Sequence, residues 1–113
     1  MPIDVQELAT GVTRVVLSGR IDISAVQAID TAMMAVAAKA QCMVIDLTGV
    51  EFIASMGLRS LVKCAKMIRG KRGHVALLTA PNVVADVIRS SGIDDLIPLF
   101  DSDAEALAAV SLV

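Results

Sequence analysis

Short apolar segments alternate along the chain with longer segments in which apolar residues recur every three or four positions. The first pattern is typical of buried strands and the second of amphipathic helices. The predicted strands are 3–8, 12–18, 43–47, 75–78 and 96–100. The predicted helices are 25–39, 56–69, one that opens at Pro81 and ends near Gly92, and one from Ser102 to Ala109.

This order predicts an α/β fold in a single domain, residues 1–113. Two adjacent strands with a turn at Thr10-Gly11 predict an N-terminal β-hairpin. The later alternation of strand and helix predicts a mainly parallel sheet with crossover helices. Pro98 places the last strand at a sheet edge, because proline cannot donate to the ladder.

Three helix starts carry a serine. Ser24-Ala-Val-Gln27 and Ser102-Asp-Ala-Glu105 fit the capping box, in which serine is the cap and Gln or Glu follows three residues later. Ser55 stands just before the helix predicted at 56–69, so its simplest interpretation is an N-cap as well.

The amino-acid composition argues against several classes of function. Of 113 residues, 56% are hydrophobic and only 2% aromatic, and the net charge is -2. Few aromatic rings and balanced charge argue against a nucleic-acid partner. A membrane span needs about 20 consecutive apolar residues, and charges or prolines interrupt every apolar stretch before that length, so we expect no direct membrane insertion.

The compartment is predicted from the N-terminus and the cysteines. The N-terminus resembles no secretory signal, and Cys42 and Cys64 lack the spacing of metal ligands. We therefore expect buried, reduced thiols and a cytoplasmic protein.

Enzymatic chemistry finds little support. His74 is the single histidine, and Asp46 and Glu51 are best explained as strand-end and loop carboxylates. No cluster has metal-ligand spacing and no glycine motif fits a nucleotide, so we expect no cofactor and no enzyme. Gly70-Lys-Arg-Gly73 has the spacing of a nucleic-acid-clamping loop, but a helix-to-strand turn explains it better.

Basic residues concentrate between positions 59 and 72. A solvated helix face is one interpretation, and a docking edge for an acidic partner surface is the other. The residues concerned are Arg59, Lys63, Lys66, Arg69, Lys71 and Arg72.

Ser55 carries the strongest functional signal. It follows the carboxyl end of a predicted parallel strand, where open α/β sheets place their sites. A phosphate there would meet free N–H groups and the positive end of the helix dipole. Gly57 would leave the approach uncrowded, and Arg59 lies one turn further on. Phosphorylation could therefore add charge to a docking surface without breaking the fold.

The chain resembles STAS domains of the bacterial anti-sigma factor antagonist family over nearly all of its length. Gly19-Arg-Ile-Asp22, the segment 46–58 (DLTGVEFIASMGL) and Ser91-Gly92-Ile93 carry the resemblance. It implies a protein that binds an anti-sigma factor with serine kinase activity and so frees the sigma factor. The kinase then phosphorylates the antagonist, which ends binding, and a metal-dependent serine phosphatase resets it.

Carried onto this chain, the resemblance makes Ser55 the phosphorylation acceptor. It places the partner-binding surface at the loop around Asp22 and the helix start, that is Ala54, Met56, Gly57, Leu58 and Arg59. Ala54 stands where the family usually has Asp, and Met56 where it has a second Ser, so a switch in this chain must use Ser55.

Two other roles remain open for the same fold. Similar domains are cytoplasmic subunits of membrane transporters, including lipid-trafficking ABC systems, in which the serine supports docking without phosphorylation. A small-ligand-binding module would instead need a pocket formed near Asp46, Thr48 and Ser55.

Overall fold

A five-stranded sheet, with its strands in chain order, organises the molecule. The computed structural model describes residues 3–8 and 11–111. The strands are β1 (Ile3–Glu7), β2 (Val12–Ile21), β3 (Cys42–Ile53), β4 (His74–Leu78) and β5 (Leu99–Phe100). The helices are α1 (Ile23–Lys39), α2 (Ser55–Gly70), α3 (Val83–Ser90), α4 (Ile93–Leu96) and α5 (Asp103–Val110).

The sheet is mixed, as the pattern predicts. β1 pairs with β2 antiparallel, and β2, β3, β4 and β5 follow one another in parallel. The α/β fold with an N-terminal hairpin and a mainly parallel sheet is thereby confirmed, and β5 lies at the predicted edge. In the predicted turn, Gly11 has a φ of 83°, which glycine adopts without strain, whereas Thr10 lies outside the described residues.

The two faces of the sheet have separate cores. On one face, helices α1 to α4 cover a large cluster centred on Met43, Ile45 and Leu77. On the other face, the short helix α5 covers a smaller cluster that includes Cys42 and Val44. Burial on both faces explains why the central strands are almost continuously apolar.

β3 is much longer than the predicted segment 43–47. Two register shifts relative to β2, after Val16 and after Gly19, each insert an extra residue into β3. Such bulges break the apolar alternation, so the apolar pattern in the sequence ends at Leu47 although the strand runs on to Ile53. The extension carries the chain well beyond the end of β4 and sets the start of α2 at the far end of the molecule.

Two predicted helix starts are wrong. Asp22, not Ser24, caps α1, since its carboxylate accepts from the N–H groups of Ser24 and Ala25. Asn82, not Pro81, precedes α3, and its side chain accepts from Ala85 N–H. Asx side chains cap as well as serine, so periodicity alone could not choose between neighbouring candidates.

The predicted cap of α5 and the predicted left-handed residue after α3 are confirmed. Ser102 caps α5 and accepts from Glu105 N–H, and Gly92 takes the left-handed conformation with φ of 80° after α3. The single-turn helix α4 was not predicted, because four residues are too few to show a period.

Candidate functional site

Ser55 is the first residue of α2 and is exposed. The predicted N-cap role is wrong: Ala54 takes the cap position with extended dihedrals, φ -78° and ψ 162°. The N–H groups of Gly57 and Leu58 both donate to the Ala54 carbonyl. Within residues 3–8 and 11–111, the Ser55 hydroxyl has no hydrogen-bond partner. Its reactive atom is therefore not engaged in holding the helix.

The first turn of α2 leaves backbone donors open. Helices leave their first N–H groups without intrahelical acceptors, and here no side chain caps them. The N–H groups of Ser55 and Met56 accordingly have no acceptor in the part of the chain that the structure describes. These donors and the helix dipole favour a negative group at this position.

Gly57 has a different role from the predicted one. It lies on the buried face of α2, so its missing side chain does not open the approach to Ser55. A Cβ at this position would lie 2.8 Å from Ile53 Cγ1 and 3.0 Å from Ile21 Cγ2. The absent side chain therefore lets the start of α2 pack directly on the ends of β2 and β3.

The sheet brings the Asp22 loop next to Ser55. Ile21 pairs with Ile53 at the end of the β2–β3 ladder, and Ala54 N–H donates to the Ile21 carbonyl over 2.8 Å. Asp22 and Ala54 therefore leave the same edge side by side. A hydrogen bond from the Ser24 hydroxyl, 2.6 Å long, is the main cause that holds the pKa of Asp22 below its usual value, so its carboxylate is charged at neutral pH.

We call residues 20–24 and 52–59 the serine face. Large apolar side chains stand exposed on it: Ile23 is 82% exposed, Met56 48% and Phe52 40%. The Arg20 guanidinium lies 4.6 Å from the centroid of the Phe52 ring, within cation–π range. The exposure of Ile23 and Phe52 was not predicted, because an apolar residue in a helix or strand pattern looks the same in the sequence whether it is buried or exposed.

The remaining predicted site residues complete the serine face. Leu58 is half-buried and packs against the main core, whereas Arg59 is exposed one turn after Ser55. The structure thus brings all seven predicted residues to one end of the molecule: Asp22, Ala54, Ser55, Met56, Gly57, Leu58 and Arg59.

Half of the basic cluster serves the fold. Lys63 pairs with Asp30 of α1 at 3.1 Å, and Arg69 donates to the Leu96 carbonyl. Lys71 Nζ donates to the carbonyls of Ala37 and Ala40 at the end of α1. Across the described residues, Arg59, Lys66 and Arg72 make no such bond.

The other candidate groups lie apart from Ser55. Asp46 accepts from Arg14 Nη1 at 3.3 Å and from Thr48, and Arg14 also pairs with Asp103 of α5. The rest of β3, about 20 Å of extended chain, separates Asp46 from Ser55, so they do not form the common pocket that the ligand hypothesis needs. Gly70–Gly73 is a helix-to-strand turn, and His74 is the exposed first residue of β4.

The described residues also bear on metal binding and on membrane insertion. No group of three or more His, Cys, Asp or Glu side chains among residues 3–8 and 11–111 is placed to hold a metal ion. In the same residues, every helix falls short of the length and hydrophobicity that crossing a bilayer requires.

Comparison with known proteins gives a consistent result. The family model of the STAS domain matches residues 5–106. An anti-sigma factor antagonist from Mycobacterium paratuberculosis is 32% identical, with a TM-score of 0.88 over 96% of this chain and 92% of that one. A STAS domain protein from Planctomyces limnophilus, also described as an anti-sigma-factor antagonist, is 29% identical, with a TM-score of 0.84 over 96% and 97%.

A more distant structure shares the fold. The phosphorylated form of the Bacillus cell fate determinant SpoIIAA has a TM-score of 0.71 at 16% identity, over 94% of this chain and 96% of that one. No curated protein sequence matches the chain significantly.

Proposed function

The chain belongs to the STAS domain family, and on that premise we propose that it is an anti-sigma factor antagonist switched by phosphorylation of Ser55. Unphosphorylated, it binds an anti-sigma factor that is also a serine kinase and so releases a sigma factor. Phosphorylation by that kinase ends the complex, and a metal-dependent serine phosphatase restores the binding form. All of these partners act in the cytoplasm.

One observation carries the proposal: a free serine hydroxyl stands among exposed apolar side chains at a helix start. Kinases need an accessible hydroxyl, and Ser55 is exposed and unbonded among the described residues. Protein interfaces need an apolar centre, and Met56, Ile23 and Phe52 supply one on the same face. The proposed phosphorylation site therefore lies on the same apolar surface whose binding it would control.

The helix start explains how one residue can act as a switch without unfolding the chain. A phosphate on Ser55 adds about -1.5 to -2 charges at neutral pH. The open N–H groups of α2 can bind it in the free protein. In a complex, the same charge would have to be removed from water beside apolar side chains, which costs binding free energy.

The related structures support this role. The Mycobacterium paratuberculosis protein, 32% identical, is an anti-sigma factor antagonist, and the Bacillus protein of the same fold exists in a phosphorylated form. The family resemblance implies Asp before the acceptor, whereas this chain has Ala54, so no carboxylate at that position would repel the phosphate.

The test is affinity capture from the lysate of the native cell, followed by mass spectrometry. We expect the wild-type chain to capture a kinase-type anti-sigma factor and Ser55→Asp to lose it while keeping its circular dichroism spectrum and Tm. The matched control is Ala104→Asp, which adds a carboxylate to an exposed first turn of α5 on the opposite sheet face. It should capture as much kinase as the wild type.

Two outcomes contradict the proposal. Equal capture of the kinase by wild type and Ser55→Asp would show that Ser55 is no switch. Equal capture of a transporter ATPase by both baits would make the chain a constitutive transporter subunit.

A further inference from the structure

A groove of about 310 Å³ runs between α1 and α2 beside the serine face. Its lining is apolar at the end near Ser55, where Ile23, Val26 and Met56 meet. Ile23 also borders a second, shallower depression with Phe52 and Ala54, so the groove continues the serine face along the two helices.

The charged groups of the groove differ in whether they already have a bonding partner. Asp30 is satisfied: it accepts from the Ser60 hydroxyl at 2.6 Å and pairs with Lys63 at 3.1 Å. Arg59 lines the same groove and, among the described residues, has neither a carboxylate nor a carbonyl partner. The groove therefore offers apolar contact and one uncompensated positive charge.

We propose that this groove receives a segment of the anti-sigma factor in which an apolar side chain is followed closely by a carboxylate, and that Arg59 binds that carboxylate. The inference rests on the proposed function and adds to it the chemistry of the partner segment. A second copy packed symmetrically, groove against groove, fits less well, because Asp30, the one carboxylate lining the groove among the described residues, is already paired.

Arg59 is also placed to take part in the switch. It lies four residues after Ser55 on α2, and side chains at that spacing are neighbours on one face of a helix. Guanidinium groups bind phosphate in the same two-pronged way as carboxylate. In the phosphorylated chain Arg59 turns to the phosphate and is no longer available to the partner. Phosphorylation thus removes an attraction in addition to adding a repulsion.

The groove is tested by affinity measurements with the purified kinase that the wild-type chain captures. Arg59→Gln and Ile23→Thr should each weaken binding about tenfold, in the range of a partly desolvated interface contact. Arg59→Lys should keep part of the affinity, since lysine keeps the positive charge but cannot bind a carboxylate through two parallel N–H groups. Lys66→Gln removes another unpaired cation of α2 outside the groove, and Val5→Thr an exposed apolar residue of β1. These two controls should bind like the wild type.

The proposed contact between Arg59 and the phosphate on Ser55 is tested in the absence of the partner. The chain is prepared with phosphoserine at position 55, and the phosphate is titrated by ³¹P NMR. Replacing Arg59 by Gln should raise the second pKa of the phosphate by about 0.3 pH unit or more, and Lys66→Gln should leave it unchanged. If the second pKa of the phosphate were the same in all three proteins, the proposed contact between Arg59 and the phosphate would be wrong.

The outcomes separate this inference from the proposed function. If Ser55→Asp abolishes kinase capture while Arg59→Gln and Ile23→Thr bind normally, the switch stands and the groove proposal is wrong. If the chain alone forms a dimer that Ile23→Thr dissolves, the groove belongs to a second copy and the proposal is also wrong. If the wild-type chain captures no kinase, both proposals fail.

Discussion

Gly57 determines, at the scale of a single residue, how the serine face is built. It lies in the third helical position of α2, where most residues would stabilise a helix better than glycine does. Glycine is needed here for close packing, because a Cβ would lie 2.8 Å from Ile53 Cγ1 and 3.0 Å from Ile21 Cγ2. The close approach of α2 to the strand ends holds Ser55 and Asp22 side by side.

We predict that Gly57→Ala destabilises the chain by about 1–2 kcal/mol, because overpacking outweighs the gain in helix propensity. The new Cβ would lie 2.8 Å from Ile53, and both isoleucines are fixed in the core. Urea unfolding followed by circular dichroism measures the change, and capture of the kinase should weaken in the same variant.

Gly70→Ala is the matched control for this prediction. Gly70 ends the same helix, and a Cβ there would meet nothing within 4 Å. We expect a change in the free energy of unfolding within about 0.5 kcal/mol. If the two variants were equally stable, close packing at Gly57 would not be what restricts that position.

At the scale of elements, one hydrogen-bonded group ties α1 to α2. The Ser60 hydroxyl donates to Asp30 over 2.6 Å, and Lys63 approaches the same carboxylate. Ser60 is only 3% exposed, so its bond is shielded from competing water. This hydrogen bond is the main cause that lowers the pKa of Asp30, with Lys63 adding to it. The pair fixes the spacing of the two helices and hence the width of the groove.

We predict that Ser60→Ala lowers the free energy of unfolding by about 1.5–3 kcal/mol at pH 7, the usual contribution of a hydrogen bond to a charged group. The pKa of Asp30 is lower in the folded than in the unfolded chain. Its stabilisation is therefore present above a pH of about 4 and is lost as the pH falls through the folded-state pKa. The difference between wild type and variant should shrink accordingly below pH 4.

Urea unfolding at pH 7, 5 and 3 measures this dependence. Ser90→Ala serves as the control, because Ser90 is exposed and its hydroxyl donates only to the Val87 carbonyl of its own helix. A deficit for Ser60→Ala that stayed constant from pH 7 to pH 3 would show that Asp30 does not carry the effect.

The sequence predicts the order of the helices and strands better than it predicts their lengths or which of their side chains are exposed. Apolar period alone predicts the order of the main strands and helices and the exposed start of α2, since buried and amphipathic segments follow simple rules. It does not predict the length of β3, because the bulges hide the strand beyond Leu47. Nor does it predict the exposure of Ile23, which depends on how α1 leaves the sheet after Asp22.

At the scale of the whole molecule, the two faces of the sheet have unequal cover. Four helices bury the larger core, while among residues 3–8 and 11–111 the eight-residue helix α5 is the one helix that covers the smaller core. A helix of only two turns opens more readily than the longer elements on which it packs. One cysteine lies in each core: Cys64 on α2 in the larger, and Cys42 on β3 beneath α5.

We predict that the two thiols become reactive through different openings. Burial raises the pKa of Cys64 to about 11, and its sulfur packs 3.3 Å from Met43 Sδ, so it should react only when the whole chain unfolds. Cys42 should react already when α5 lifts from the sheet. The Cys42→Ala and Cys64→Ala variants, each with one remaining thiol, report the two events separately in a thiol-labelling assay at pH 8 with increasing urea.

The labelling rate of Cys64 should rise with urea as steeply as global unfolding does, because the same surface is exposed. That of Cys42 should be faster in dilute urea and rise less steeply, because lifting α5 exposes little surface. Asp103→Asn, which weakens the link from α5 to Arg14, should speed labelling of Cys42 more than that of Cys64. Identical rates and slopes for both thiols would instead mean that the two cores open together. In that case a change at α5 would reach the serine face through global stability, and the two sides of the sheet would not be independent.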